Sequence, residues 1–204
     1  VFSLFNKVIS ALENAVRPQL YNALKGNNKK LASEIFFQYT LAGLALIAAT
    51  ICLATPLEWW LNNPKYKIIN KYVWWMALVL IPFVFVRFYA LVILYFRTPW
   101  LLSMVAFLKL ILLSVLFYFL LPVYGFYGIF AALGISQLIN ALAFIKLNLY
   151  PIAITPTILS LSLLLIISLI SQIIWNVHFV FYIFVALLLF KLYREFRLKV
   201  YKLF

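Results

Sequence analysis

LPVYGFYGIFAALGISQLINALAFIK, residues 121–146, sets the architecture of the chain, because one apolar run ends and another begins inside it. A tight turn at 122–125 separates the two runs, and three of the five glycines in the chain lie in this stretch. If the second run is a helix, one face carries a small or polar residue at every fourth position: Gly128, Ala132, Ser136 and Asn140. Such a stripe lets a neighbouring helix approach closely in a membrane, and a face that lines a cavity is the alternative.

The composition is that of a membrane protein. The chain has 204 residues, of which 68% are hydrophobic and 10% charged, and its mean hydropathy is +1.10. A soluble fold cannot cover so much apolar surface with so few polar groups. Apolar runs of about twenty residues are long enough to cross a bilayer as helices. We therefore predict an all-α, polytopic transmembrane helical bundle over residues 35–193. Its spans, about six in number, are 35–57, 72–96, 100–121, 124–147, 153–174 and 177–193.

Residues 1–34 have a different pattern, an amphipathic helix followed by a basic loop. Apolar residues recur there with a period near 3.6, and polar residues occupy the opposite face. The helix is either the end of a span that faces a water-filled cavity or a helix that lies in the membrane interface. Its polar face includes Lys7, Glu13 and Arg17, and the last two have the spacing of an ion pair on a helix.

Basic residues predict the orientation. Lys and Arg number 17 against 4 for Asp and Glu, which gives a net charge of +13. Most of the basic residues fall on one side if that side holds the loops 17–34, 96–99 and 147–152 together with residues 191–204, which include the basic tail 194–204. Cytoplasmic loops of membrane proteins carry this excess. We expect these loops and the C-terminus to be cytoplasmic, with the charge facing anionic lipid headgroups rather than nucleic acid.

The sequence offers little for catalysis. General acid–base chemistry needs a carboxylate pair or a histidine with a partner, whereas His178 stands alone near the outer end of the last predicted span. The acidic residues are scattered glutamates: Glu13, Glu34, Glu58 and Glu195. No Cys and His cluster has metal-ligand spacing, and no glycine-rich phosphate loop is present. We predict no enzyme activity, no catalytic residue, no cofactor and no metal site.

Two cations fall inside the predicted spans. Arg87 lies about 15 Å along its helix from Arg97 at the cytoplasmic interface, and Lys109 lies at a comparable depth. Placing each in hydrocarbon costs at least about 2.5–3.5 kcal/mol. Because no acidic residue of the spans is placed to neutralise them, we expect a water-filled cavity around both, or a partner in a missing half of the protein. Snorkelling of both side chains into a thinned bilayer is the alternative.

Two segments of the sequence resemble motifs of a family of transporters. LLPVYGFYGIFAALGIS, at 120–136, resembles the IP-x-YG-x-x-GAA-x-A hairpin of polysaccharide flippases, and RPQLY, at 17–21, resembles the P-x-x-Y element that precedes a cytoplasmic loop in the same family. These flippases export lipid-linked O-antigen and capsule repeat units and belong to the multidrug/oligosaccharidyl-lipid/polysaccharide exporter superfamily. The order of segments resembles their C-terminal half, which implies that the chain is a fragment of a longer transporter.

The resemblance implies a function and a location. The chain would help to flip an undecaprenyl-diphosphate-linked oligosaccharide across the inner (cytoplasmic) membrane by alternating access between two helical bundles. Its partners would be this substrate, membrane lipids, and polymerase or other assembly proteins of polysaccharide synthesis. No cofactor is implied.

The resemblance also implies roles for residues. A diphosphate is bound by cations, arginine through its planar fork and lysine as a point charge. The cationic cavity would be formed by Arg87, Lys109, Lys7 and Arg17. The candidate sugar contacts are Ser136, Gln137 and Asn140. Gly128 and Ala132 would serve helix packing. Glu13, the acid nearest to the spans, is the candidate for coupling to protons or sodium.

Three other functions fit parts of the pattern. A drug or cation exporter of the same superfamily would need membrane carboxylates that face a cavity. A membrane-embedded glycosyl- or acyltransferase would need a histidine or acid cluster near one interface. A scaffold for polysaccharide assembly would need neither.

Overall fold

The computed structural model describes residues 2–61, 64–96, 98–146, 152, 156–175 and 179–200, and every regular element among them is an α-helix. The helices are α1 (Phe2–Lys25), α2 (Lys29–Leu61), α3 (Pro64–Tyr95), α4 (Pro99–Tyr124), α5 (Phe126–Lys146), α6 (Pro156–Trp175) and α7 (Phe179–Val200). The predicted all-α class is confirmed.

Five helical segments in the described part of the chain are long and apolar enough to cross a membrane: Lys29–Ala54, Tyr72–Tyr95, Pro99–Tyr124, Phe126–Lys146 and Pro156–Ile174. A helix satisfies its own backbone hydrogen bonds, which a single segment must do in lipid. The protein is therefore a multi-pass membrane helical bundle. The sixth predicted span, 177–193, falls mostly in α7, and α7 is not among these five segments. Residues 177–178 of this span and residues 153–155 of the fifth predicted span lie outside the described residues.

The turn predicted at 122–125 is shorter than expected. Because proline usually ends a helix, the sequence suggested a break at Pro122, but α4 continues to Tyr124 and only Gly125 separates it from α5. Gly125 has a φ of 54°, a left-handed conformation that glycine adopts without strain. Its N–H donates to the carbonyl of Leu121 at 2.9 Å, which closes the last turn of α4.

The stripe of small and polar residues on α5 is buried along its whole length: Gly128, Ala132, Ser136 and Asn140. At Gly128 the chains approach so closely that an added Cβ would lie 2.3 Å from the carbonyl oxygen of Leu120. The α4–α5 hairpin therefore needs glycine there as well as at the turn. The other side of α5 packs against α3.

Helix α3 is the centre of the bundle, since it contacts α1, α2, α4, α5 and α6. At one end of the bundle, the ring of Tyr21 of α1 packs at a tilt against that of Tyr95 of α3, with ring centroids 5.1 Å apart. At the other end, Trp74 of α3 meets Phe181 of α7 edge-on at the same separation. The C-terminal part of α1 therefore lies beside that of α3, and the N-terminal part of α3 lies beside that of α7.

We predict that Gly128→Ala destabilises the protein whereas Gly134→Ala does not. A Cβ at Gly128 would collide with backbone, and overpacking of this kind costs about 1–3 kcal/mol. A Cβ at Gly134 would meet only Val79 Cγ2 at an ordinary 3.8 Å, and alanine favours a helix interior over glycine by about 0.5–1 kcal/mol. Thermal unfolding in detergent checks both. Equal melting temperatures for the two variants would contradict the close approach.

Candidate functional site

An ion pair inside the membrane-spanning part of the bundle joins α1 to α3. Arg87 binds both carboxylate oxygens of Glu13: Nε donates to Oε1 at 2.5 Å and Nη2 donates to Oε2 at 2.7 Å. This bidentate arrangement is the strongest geometry available to an arginine and a carboxylate. The side chain of Glu13 is 7% exposed and that of Arg87 is 36% exposed, so the carboxylate is the more deeply buried partner.

The pair corrects the prediction that no acidic residue neutralises Arg87. The sequence placed Glu13 on the polar face of α1, but the structure buries it on the packed face with Phe5, Ile9 and Leu20. A spacing of about four residues brings these positions to one side of a helix. Helix spacing predicted that Glu13 pairs with Arg17, but Glu13 pairs with Arg87, which is distant in the chain. Arg17 is exposed.

Two hydroxyl groups complete the surroundings of the ion pair. Tyr39 of α2 donates to Glu13 Oε1 at 3.3 Å, and Arg87 Nη2 donates to Ser10 Oγ at 3.2 Å. Tyr39 is fully buried, so three helices converge on one carboxylate. A buried charge is tolerated when hydrogen bonds and an opposite charge surround it. We call Ser10, Glu13, Tyr39 and Arg87 the Glu13 cluster.

Sequence reasoning missed Ser10 and Tyr39 as members of this cluster. A signal for Ser10 was present, because it precedes Glu13 by three residues and so lies near it on the helix. Tyr39 had no comparable signal, since a tyrosine in an apolar run is equally suited to lipid, core or interface. Its role depends on how α2 packs against α1.

The polar face of α1 forms a shallow, open hollow of about 610 Å³, and all of its lining residues belong to that one helix. Its lining residues are Ser3, Asn6, Lys7, Ser10, Ala11 and Asn14. Ser10 belongs both to this α1 hollow and to the Glu13 cluster, so Arg87 adjoins the hollow. Arginine has five N–H donors; Glu13 and Ser10 occupy those of Nε and Nη2, and Nη1 has no partner among the described residues.

Lys109 lies in a different place, a pocket of about 290 Å³ between α4 and α5. Ser136 and Asn140 of the buried stripe line the same pocket, and the rest of its lining is apolar. The α4–α5 pocket and the α1 hollow share no lining residue. The structure thus places Lys7 in the lining of the α1 hollow and Lys109 in that of the α4–α5 pocket. Arg87 is in neither lining and adjoins the hollow only through its hydrogen bond to Ser10, and Arg17 is also in neither lining.

The candidate sugar contacts are also divided. Ser136 lines the α4–α5 pocket but donates its hydroxyl to the carbonyl of Leu133 at 2.9 Å. Gln137 is buried outside both linings, and its Oε1 has no hydrogen-bond partner within the described ranges. Asn140 is 8% exposed, and its Oδ1 likewise has no partner there. Of the three, Asn140 therefore has both access to a pocket and an unused acceptor.

Other reactive side chains are sparse where the structure describes them. The described residues contain no group of three or more His, Cys, Asp or Glu side chains that could hold a metal ion. Glu34 is exposed. His178 lies outside the described residues.

Comparison of the chain with protein-family models, with curated proteins and with solved structures gives no match. The resemblance to polysaccharide flippases stays a prediction, and functional arguments depend on the geometry of the site.

We predict that Tyr39→Phe lowers the free energy of unfolding by about 1 kcal/mol, the usual contribution of a hydrogen bond, because Glu13 loses a donor. Tyr89→Phe is the matched control. Its hydroxyl is buried without a partner in the described part of the chain, so removing it should be neutral or stabilising. Unfolding in mixed detergent micelles measures both changes. A larger loss for Tyr89→Phe than for Tyr39→Phe would contradict the arrangement.

Proposed function

We propose that the chain forms part of the wall of a membrane carrier that flips an anionic, lipid-linked oligosaccharide across the cytoplasmic membrane. The observation that supports this best is the α1 hollow, where polar side chains and cations border a membrane-spanning bundle. Sugar hydroxyls need amide and hydroxyl partners, which Asn6, Asn14 and Ser3 supply. A diphosphate needs cations, and Lys7 and Arg87 adjoin the same hollow.

In this proposal Arg87 binds a phosphate oxygen through Nη1 while Glu13 holds the guanidinium through Nε and Nη2. Glu13 is then a positioning residue, because it orients Arg87 without touching the substrate. The pair carries no net charge, so Lys7 supplies the net attraction for the diphosphate. The lipid tail stays in the bilayer, where its transfer requires no polar path.

The movement proposed is alternating access, in which helical bundles rock and the hollow faces each side of the membrane in turn. The end of the bundle with Lys25, Lys29 and Lys30, all exposed, would face the cytoplasm. Glu13 is the candidate for coupling, since a proton on its carboxylate would weaken its hold on Arg87 and change what the hollow presents to the substrate.

A drug or cation exporter is less well supported by the same cluster. Such a protein needs a membrane carboxylate that is free to bind a cation. Glu13, the acid buried among the described residues, already binds Arg87 through both oxygens. A glycosyl- or acyltransferase and an assembly scaffold differ from the carrier in one measurable way, since neither moves a lipid-linked sugar between leaflets.

We expect Lys7→Glu to reduce export of the lipid-linked oligosaccharide at least about tenfold, since a phosphate contact to a charged group of this kind contributes more than a tenfold factor. Arg87→Gln should reduce export further, because it also leaves Glu13 buried without its partner. The matched control is Lys30→Gln, an exposed residue at the start of α2 that lies outside the hollow.

The measurement is surface polysaccharide in cells that depend on the full-length protein, normalised to the amount of each variant in the membrane. A second measurement uses purified protein in liposomes with a fluorescent polyprenyl-diphosphate oligosaccharide, scored by its movement between leaflets. Unchanged export by Lys7→Glu at a normal protein level would remove the α1 hollow from the path. No movement by the unaltered protein in liposomes would favour the scaffold.

A further inference from the structure

The α4–α5 pocket has the features of a second binding site, apart from the α1 hollow. It lies on the least buried of the five candidate spans, since Val105 is the one buried residue of α4. Most of the remaining α4 surface is apolar and exposed. The pocket therefore opens at a side of the bundle where lipid can reach it. Trp100, 62% exposed at the start of α4, lines the pocket on the end expected at the membrane interface.

Two polar groups in this pocket lack partners among the described residues. Lys109 is half-buried and forms no ion pair or hydrogen bond there. Asn140 is 8% exposed, and its Oδ1 accepts no hydrogen bond from another described residue. Leaving such groups unpaired in an apolar setting is costly. A ligand that satisfies both must offer an anionic acceptor to Lys109 and a donor to Asn140.

The rest of the pocket restricts the ligand further. Its other lining residues are almost all apolar, including Met104, Leu108 and Ile139. At about 30 Å³ for each water-sized group, the pocket has room for about ten non-hydrogen atoms. That volume suits a small headgroup with the first carbons of a chain, and it is too small for an oligosaccharide. The apolar lining with two polar groups is typical of sites for amphiphiles.

We infer that the α4–α5 pocket binds one glycerophospholipid whose phosphate pairs with Lys109 and whose headgroup hydroxyl or amine donates to Asn140. Side chains on a helix lean toward its N-terminus, so Lys109 is directed toward the end of α4 at Trp100, and the phosphate enters the pocket from that end to meet it. The acyl carbons pack on the apolar lining. The lipid thereby fills the groove between α4 and α5 and adds to the contacts of α4, most of whose surface is exposed.

The inference does not depend on the proposed function, because a bound phospholipid can serve any membrane protein. It does differ from a substrate role for Lys109. A lipid-linked diphosphate would compete for the same lysine, whereas a phospholipid ligand would be retained by the purified protein before any substrate is added.

Native mass spectrometry of the purified full-length protein tests the site, with added phosphatidylglycerol, phosphatidylethanolamine, phosphatidylcholine, inorganic phosphate and a short-chain polyprenyl diphosphate as separate probes. The first two lipids carry a headgroup donor and the third does not. We expect tight retention of one phosphatidylglycerol or phosphatidylethanolamine per chain, weaker retention of phosphatidylcholine, and none of inorganic phosphate. Lys109→Gln should weaken retention about tenfold, and Lys109→Arg should preserve it.

The matched controls separate this site from general attraction to lipid. Lys146→Gln removes an equal charge from the exposed end of α5, and it should leave retention unchanged. Asn140→Leu should abolish the preference for donor-bearing headgroups while retaining affinity for phosphatidylcholine. Equal retention by the unaltered protein and Lys109→Gln would overturn the inference. So would displacement of phospholipid by the polyprenyl diphosphate at equimolar concentration, which would assign the pocket to a substrate.

Discussion

A carboxylate and a guanidinium that meet inside an apolar bundle are the constraint on which the rest of this structure depends. Helix α1 carries a polar face, and its packed face combines apolar residues with one carboxylate. Glu13 gives it a specific attachment, because Arg87 of α3 and Tyr39 of α2 both bind the same carboxylate. Neither charge is stable in a low dielectric without the other. The pair therefore fixes which face of α1 is packed, and so which face borders the hollow.

The second constraint is the close approach of α4 and α5. A single glycine with a positive φ connects the two helices, and Gly128 lets the backbone of α4 pass against α5. The hairpin leaves a pocket where the stripe on α5 changes from small residues to Ser136 and Asn140. Cations that seemed to belong to one cavity are thereby separated. Arg87 is neutralised at the centre of the bundle, and Lys109 lies at its lipid-facing side.

Much of the fold could be predicted from the sequence, because membrane helices are recognised by their length and hydropathy. The buried face of α5 could also be predicted, since four residues at a spacing of four lie together on any helix. The partner of Arg87 could not. Glu13 precedes it by more than seventy residues in the chain, and only the packing of α1 on α3 brings them together.

Glu13 alone of the polar-face charges was assigned to the wrong face of α1, for a related reason. A period near 3.6 describes the average apolar stripe, whereas the packed residues Phe5, Ile9 and Glu13 follow a spacing of four. Glu13 is the charged residue among the described buried residues of α1, and a buried charge needs an opposite charge beside it. The turn was misjudged because proline near the end of a helix can be accommodated in its last turn when the next residues close it, as Gly125 does here.

The most direct measurement of the central claim is a double-mutant cycle in which Glu13→Gln, Arg87→Gln and both together are compared by their free energies of unfolding in mixed micelles. Arg87 is partly exposed, so solvent screens the pair and its coupling energy is lower than that of a fully buried ion pair. We predict a coupling energy of about 2 kcal/mol. The double variant should then be more stable than the sum of the single changes implies. Additivity within about 0.5 kcal/mol would contradict the account, because residues without contact behave that way.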